Sequence, residues 1–360
     1  MECTEIEAAG SRLWSRIMSL LRHDLTTNDW VIFAPERARR PHEWKRAAGL
    51  SVAPLPSGDG CPFCPGNERL TGPEVYALRH GSAPNSPGWQ VRVIPNKFPA
   101  LRIEADSQRL EEGPVFRYME GCGAHEVIID SPDHHRSLAE QPVEQIEAVF
   151  RTLQIRFNDL MQDQRFQTIV IFKNHGEQAG VSLRHPHFQL IATPVVPQLL
   201  RLKHHVATDY FDQTGRCLYC VLFHEELVAG QRVIAENDHF GAILPYASHV
   251  PFEVWILPKH HQSTFGWVNA ARLRPLAELL KNVLWKLHVG LENPSFNLTL
   301  HTAPRGDEHK EYFLWHLQIL PRLTTPAGFE LGSGMSINTV LPEEAAAYLR
   351  EVDSDDSTGT

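Results

Sequence analysis

Hydrophobic residues recur along this chain in two rhythms. Alternation at every second position marks strands at residues 30–33, in WQVRVIPNKFPAL (89–101), HEVIIDSPDHH (125–135), TIVIFKNHG (168–176) and HFQLIATP (187–194), each closing in turn residues. Between the third and fourth of these, Val143, Ile146, Val149, Phe150 and Leu153 fall at helical spacing and predict a helix over 142–161.

The second half runs through the same order. FGAILPYASHVPFEVWILPKHH (240–261) reads as a strand region that ends in Pro, a charged residue and His. A helical stretch follows over 273–291, and then FNLTLHTAP (296–304) and FLWHLQILP (313–321) read as strands. Laying HPHFQLIATP on LWHLQILP puts Leu314 opposite His185, His316 opposite His187 and Gln318 opposite Gln189. The chain is therefore read as two copies of one α+β unit. The expected divisions are an extension at 1–17, a first unit at 18–196, a second at 197–349, and an acidic, unpacked tail at 350–360.

Composition narrows the function. With 34 basic against 43 acidic side chains and a formal charge of −9, a large phosphate-tracking surface for duplex nucleic acid is not expected. No run approaches the roughly 20 apolar residues of a membrane-spanning helix. The N-terminal stretch lacks the apolar core of a signal peptide, so the expected location is cytoplasmic. Four of the six cysteines form CxxC pairs, Cys61 with Cys64 and Cys217 with Cys220. In a reducing compartment that spacing points to metal ligands or a redox dithiol.

The segment RHPHFQLI (184–191) carries the candidate chemistry. If 183–192 is a strand, period-two alternation sends His185, His187 and Gln189 to one face and Phe188 and Leu190 into the core. Pro186 places the motif near a strand start or edge, because it cannot donate to a ladder. A neutral imidazole is a competent nucleophile toward phosphorus, and a nearby glutamine can donate to a phosphoryl oxygen as charge builds there. The other histidine is available to a metal.

GVSLRHPHFQLIATP, with CPFCPGNE, PNKFPAL, SPDHH and RLTTPAGFE in this order, resembles the galactose-1-phosphate uridylyltransferase family, a branch of the histidine triad superfamily. The resemblance runs over nearly the whole chain. It implies two tandem histidine-triad-like domains, each an antiparallel sheet with helices packed on it, and a homodimer. It implies that His187 takes a nucleoside monophosphate from a sugar nucleotide as a covalent nucleotidyl-histidine, and that Gln189 contacts the transferred phosphoryl group. The partners implied are a sugar nucleotide and a sugar 1-phosphate or phosphate. Cys61 and Cys64 would be completed by His134 and His185 to a Cys2His2 zinc site. Arg37 and Arg40 match phosphate-holding arginines, with Arg39 as the alternative. Asn96 matches a residue beside the nucleotide, and Asn174 with Gly176 the loop facing the phosphates.

A second zinc site would use Cys217, Cys220 and His261, with His260 as the rival. The position equivalent to His185 is Leu314, which cannot ligate; water, His316 or His301 completes the shell, or the site stays empty. On the sugar side, Thr324, Phe329 and Ser336 replace the lysine, tyrosine and glutamine of typical uridylyltransferases, while Glu330 is retained. Phe188 is also bulky where relatives carry glycine or serine. The first reading is UDP-glucose:hexose-1-phosphate uridylyl transfer, in galactose metabolism. The departures resemble the branch with ADP-glucose phosphorylases, so adenylyl transfer, by that activity or a diadenosine tetraphosphate phosphorylase type, is the second. A zinc-stabilised nucleotide-binding protein without catalysis is the third.

Overall fold

The computed structural model describes residues 19–37 and 60–353. The expected extension at 1–17, together with Arg39 and Arg40, lies outside the described residues.

Ten strands form one antiparallel sheet whose order is a palindrome of the two halves. The first half contributes β3 (Tyr76–Arg79), β4 (Trp89–Pro95), β7 (Ala124–Ile129), β8 (Thr168–His175) and β9 (His187–Thr193). The second contributes β10 (Val233–Glu236), β11 (Phe240–Ile243), β12 (Val254–Pro258), β13 (Phe296–His301) and β14 (His316–Pro321). The order is β3-β4-β7-β9-β8 followed by β13-β14-β12-β11-β10, so the halves meet where β8 pairs with β13, Leu298 opposite Lys173. A short hairpin, β5 (Leu110–Glu112) with β6 (Phe116–Tyr118), stands apart. This is the two-domain α+β architecture expected from the repeat, with the two units fused edge to edge.

One helix per half packs on the same face of the sheet. In α1 (Val143–Leu160) the residues Val143, Ile146, Val149, Phe150, Leu153 and Phe157 are buried. Their spacing of three and four makes one apolar stripe. They share a core with Phe188 and Leu190, both fully buried on β9.

The opposite face is treated differently in the two halves. Over β7 and β9 it is covered by a loop whose Phe63 packs with Val127 and Ile129. Over β12 and β14 it is covered by α2 (Gln198–Thr214) and α3 (Leu218–Ala229), whose Ala207, Tyr219 and Phe223 pack with Trp255 and Leu314. The second half's core-face helix is α4 (Ala270–Gly290), linked to α1 by Arg274 donating to Glu144 at 2.9 Å.

A separate sheet joins β1 (Leu20–Asp24), β2 (Asp29–Phe33) and β15 (Ile337–Asn338). Arg22 fastens it to the second half through a two-pronged ion pair with Glu343 (2.9 and 3.1 Å) and its stacking on Tyr246. The short helix α5 (Gly328–Ser333) precedes β15. Among the described residues the last helix, α6 (Pro342–Glu351), runs into the first two residues of the expected tail: Leu349 is buried, and Arg350 donates to the Gln231 and Val233 carbonyls, while residues 354–360 lie outside the described residues. Alanines and a Leu at helical spacing hold that last turn against the core.

Candidate active site

Strand β9 begins at His187, four residues later than the expected 183. His185 and Pro186 precede the ladder, where a missing proline N–H costs nothing; the Pro186 carbonyl still accepts from Asp130 N at 3.1 Å. His185 and His187 nonetheless share one side. Phe63, between the two cysteines, meets both rings edge-on, with centroids 6.2 Å from His185 and 5.4 Å from His187.

The His187 ring has one defined orientation. Its Nδ1–H donates to the His185 carbonyl at 2.8 Å, which leaves the Nε2 lone pair unprotonated. Burial, helped by the Lys173 cation, lowers its pKa to about 4, so the ring is neutral near pH 7. Beneath it, Lys173 Nζ donates to the His187 carbonyl at 3.2 Å and pairs with Asp130 at 2.5 Å, both side chains 0% exposed.

Three side-chain amides surround this nucleophile candidate. Gln189 lies on the same face of β9, its Oε1 2.9 Å from His125 Nε2. Asn174 is on β8 next to Lys173, which pairs with Phe188 of β9, and its Oδ1 accepts from Asn297 Nδ2 at 2.8 Å. Asn96 reaches the cluster from the loop after β4, where Asn96 N donates to His125 O at 2.8 Å. Gly176 follows Asn174 with φ 79°; a Cβ there would stand 2.2 Å from Ser295 Oγ, so only glycine fits.

Cys61, Cys64, His134 and His185 are brought together in a group that could hold a metal ion. Cys64 Sγ lies 3.3 Å from His134 Nδ1 and 3.6 Å from His185 Nδ1, and Cys61 Sγ lies 3.8 Å from His185 Nδ1. Tetrahedral zinc separates sulfur and nitrogen ligands by about 3.5 Å. His185 Nε2 donates to Ser131 O at 2.8 Å, which presents Nδ1 to the cluster, and burial lowers its pKa to about 4, the neutral form a ligand requires. Burial and the adjacent Cys61 push the Cys64 thiol up to about 11; a divalent cation would allow two thiolates to share this place.

The second cluster contains Cys217, Cys220 and His261. Cys220 Sγ is 3.3 Å from His261 Nδ1. Among the described residues no fourth donor joins them. Leu314 is fully buried at the equivalent of His185, and His301 and His316 are stacked on each other with centroids 4.8 Å apart. Of the alternatives for the fourth place, neither histidine joins the cluster among the described residues. His260 is turned toward His239 instead.

Arg37, Phe329 and Glu330 are not brought to β9. Arg37 ends a turn after β2, and Glu330 caps α5 by accepting from Ala327 N at 3.1 Å. Ser336 Oγ is engaged with His249 Nδ1 at 3.1 Å. Arg37 and Ser336 flank strands of the small sheet, and Phe329 and Glu330 lie on α5 just before it. Conversely, sequence reasoning passed over Lys173, Asp130 and His125. Lys173 left a signal, a charge at a core-facing position of an alternating strand; His125 left none.

This geometry can attack and cradle a phosphoryl group, and the comparisons with known proteins agree with it. Models of the N-terminal and C-terminal domains of galactose-1-phosphate uridyl transferase match residues 13–197 and 203–357. ADP-glucose phosphorylase of Arabidopsis thaliana is 38% identical over 336 residues, covering 92% of each chain. Galactose-1-phosphate uridylyltransferase of Thermotoga maritima is 29% identical, covering 93% of this chain and 99% of the relative. A crystal structure of the Arabidopsis phosphorylase with bound ADP-glucose superposes with a TM-score of 0.79 at 35% identity, over 93% of this chain and 99% of that one. The chain belongs to the galactose-1-phosphate uridylyltransferase family, and it is a nucleotidyltransferase of the histidine triad superfamily.

Proposed function

We propose that the protein moves an adenylyl group from ADP-glucose to inorganic phosphate through a covalent adduct on His187. The observation that carries the choice of adenylate is the greater identity to the Arabidopsis ADP-glucose phosphorylase than to the Thermotoga uridylyltransferase, over comparable spans. The replaced sugar-side residues Thr324, Phe329 and Ser336 support the same choice, because phosphate needs fewer contacts than a hexose phosphate.

In the first step the His187 Nε2 lone pair attacks the α-phosphorus. A P–N bond forms, the P–O bond to glucose 1-phosphate breaks, and the leaving oxygen takes the electron pair. The ring becomes cationic, and the His185 carbonyl, already accepting from Nδ1–H, stabilises that charge. The amide hydrogens of Gln189 and Asn174 take the phosphoryl oxygens, and Asn96 lies toward the nucleoside. A phosphate oxygen then attacks the same phosphorus, the P–N bond breaks and ADP leaves. Cys61, Cys64, His134 and His185 would hold a zinc ion that fixes the entry to β9 and takes no part in these bonds. Cys217, Cys220 and His261 offer three donors for a weaker second ion. A cytoplasmic homodimer is the expected working form; no helix is long and apolar enough to cross a membrane among the described residues.

The test measures phosphate-dependent release of glucose 1-phosphate from ADP-glucose and from UDP-glucose. The proposal expects kcat/KM for ADP-glucose to exceed that for UDP-glucose by at least about 100-fold, the discrimination a site built for one set of hydrogen-bonding groups reaches. Uridylyl transfer to galactose 1-phosphate with the opposite preference would replace it by the uridylyltransferase reading, and turnover of neither donor would leave a binding protein.

A further inference from the structure

The three amides of Asn96, Gln189 and Asn174 each have their polarity fixed by their partners. The terminal O and NH2 of an amide are told apart by their partners. Here each partner chain ends in a group whose polarity is fixed. Asn96 Oδ1 accepts from the backbone N–H of Phe98 at 2.9 Å, so its NH2 is left over. Ala100 N–H donates to His125 Nδ1 at 3.1 Å; that nitrogen is therefore bare, and the neutral ring carries its hydrogen on Nε2. Nε2–H must donate, and the atom it meets at 2.9 Å is Gln189 Oε1. The Asn96 NH2, 3.0 Å from the same nitrogen, cannot donate to it and keeps its hydrogens for another acceptor.

Asn174 is set by the second half of the molecule. Arg322 Nε, which can only donate, takes Asn297 Oδ1. The Asn297 NH2 then gives one hydrogen to the Ala179 carbonyl at 3.0 Å and one to Asn174 Oδ1 at 2.8 Å. Among the described residues, neither the Gln189 nor the Asn174 amide nitrogen donates to any protein group.

We propose that His125 and Asn297 are positioning residues that lock the polarity of Gln189 and Asn174, so that these two amides present only NH2 groups to the phosphates of the substrate. An anionic ligand is favoured by donors alone, and an unlocked amide could turn its oxygen toward the phosphate. The inference rests on the transfer reaction proposed above and extends it to residues that touch no substrate atom.

Asn297→Asp separates positioning from support. Aspartate keeps the shape and the pair with Arg322, but has no hydrogen for Asn174, which is then free to turn its NH2 inward and its oxygen out. Asn297→Ala removes the Arg322 partner and leaves Asn174 without preference. The rate of adduct formation is measured by single-turnover quench with ADP-glucose in full-length, zinc-loaded protein, alongside the melting temperature. The expected order for the rate is wild type, then Asn297→Ala, then Asn297→Asp, the last about 100-fold down, at the lower end of the range for spoiling one preorganised donor. For melting the two variants exchange places, with Asn297→Ala the lower. His125→Phe slows adduct formation about tenfold in the wild-type background and has no further effect when Gln189 is already Ala.

A wild-type protein that forms no adduct overturns the underlying reaction. A wild type that labels, together with Asn297→Asp at the wild-type rate or Asn297→Ala slower than Asn297→Asp, overturns this inference alone.

Discussion

His187 and His316 begin equivalent strands and make the same local bond, Nδ1 to the carbonyl two residues earlier, at 2.8 and 3.0 Å. Gln189 and Gln318 follow them at the same spacing, each with its Oε1 on a histidine, at 2.9 and 2.8 Å. What lies over the two pairs differs. Among the described residues a loop covers the first, and His187 keeps 7% of its surface exposed. Two helices cover the second, leaving His316 at 0% with its Nε2 sealed and unpartnered. Gln318 also spends its amide nitrogen on Glu253 at 2.7 Å, whereas that of Gln189 is free among the described residues. The histidine and glutamine geometry is thus a property of the strand, and reactivity is decided by what the chain places over it.

The comparison breaks most visibly at the nucleophile. His187→Asn is expected to lower turnover by roughly 10⁴-fold, as loss of a covalent nucleophile does. His316→Asn should leave turnover per folded molecule within about threefold, since it only alters packing. Steady-state assays of both variants check this, and a comparable loss in both would erase the distinction between the halves.

The next effect concerns stability under the first strand. Lys173→Met leaves the Asp130 carboxylate buried and unpaired, and denaturant unfolding should show a loss of about 3–5 kcal/mol. Adding Asp130→Leu should restore most of it, because the double change removes the stranded charge. If the double variant is as unstable as the single, the pair is not the source of the loss.

Metal content sharpens the comparison further. One tightly held zinc is expected in the first cluster and a readily chelated one in the second. Leu314→His would supply the missing ligand and tighten the second site by at least about tenfold. Elemental analysis after graded chelation reads this directly; two equally resistant ions in the wild type would show that Leu314 does not weaken the site.

The smallest expected effect is an absence of change. An imidazole with the ordinary pKa of 6.5 would lose about tenfold of its nucleophilic form at pH 5.5. His187, lowered to about 4 chiefly by burial, becomes protonated only when the pH falls that far. Its single-turnover rate should therefore hold to within about a tenth between pH 8 and 5.5. A steep decline around pH 6.5 would mean that the ring is solvated like a surface histidine.

Much of the first site was legible in the sequence because its logic is local. Period-two alternation aligned His187 with Gln189, and Pro186 marked the strand start even though the strand begins later than alternation alone suggested. The cysteine spacing announced donor pairs in both halves, and Leu314 forecast the incomplete second shell. What stayed hidden depends on distant contacts. His125 acquires its role from Ala100, 25 positions away, and Gln189, 64 positions away. The covering helices α2 and α3 pack on the second half for tertiary reasons, and β15 pairs with β2 across most of the chain, bringing the turn that carries Arg37 and the strand that follows Phe329 and Glu330 to one small sheet. Period and spacing carry no information about such meetings.

The most direct measurement is peptide mapping of the trapped adduct. Full-length, zinc-loaded protein is mixed with ADP-glucose without phosphate, quenched at alkaline pH, digested and analysed by mass spectrometry. A mass gain of one adenylate on the peptide containing His187, with the His316 peptide unmodified, is the result predicted. Adenylate on the His316 peptide, or no adduct on either while the first metal site is filled, would contradict the account.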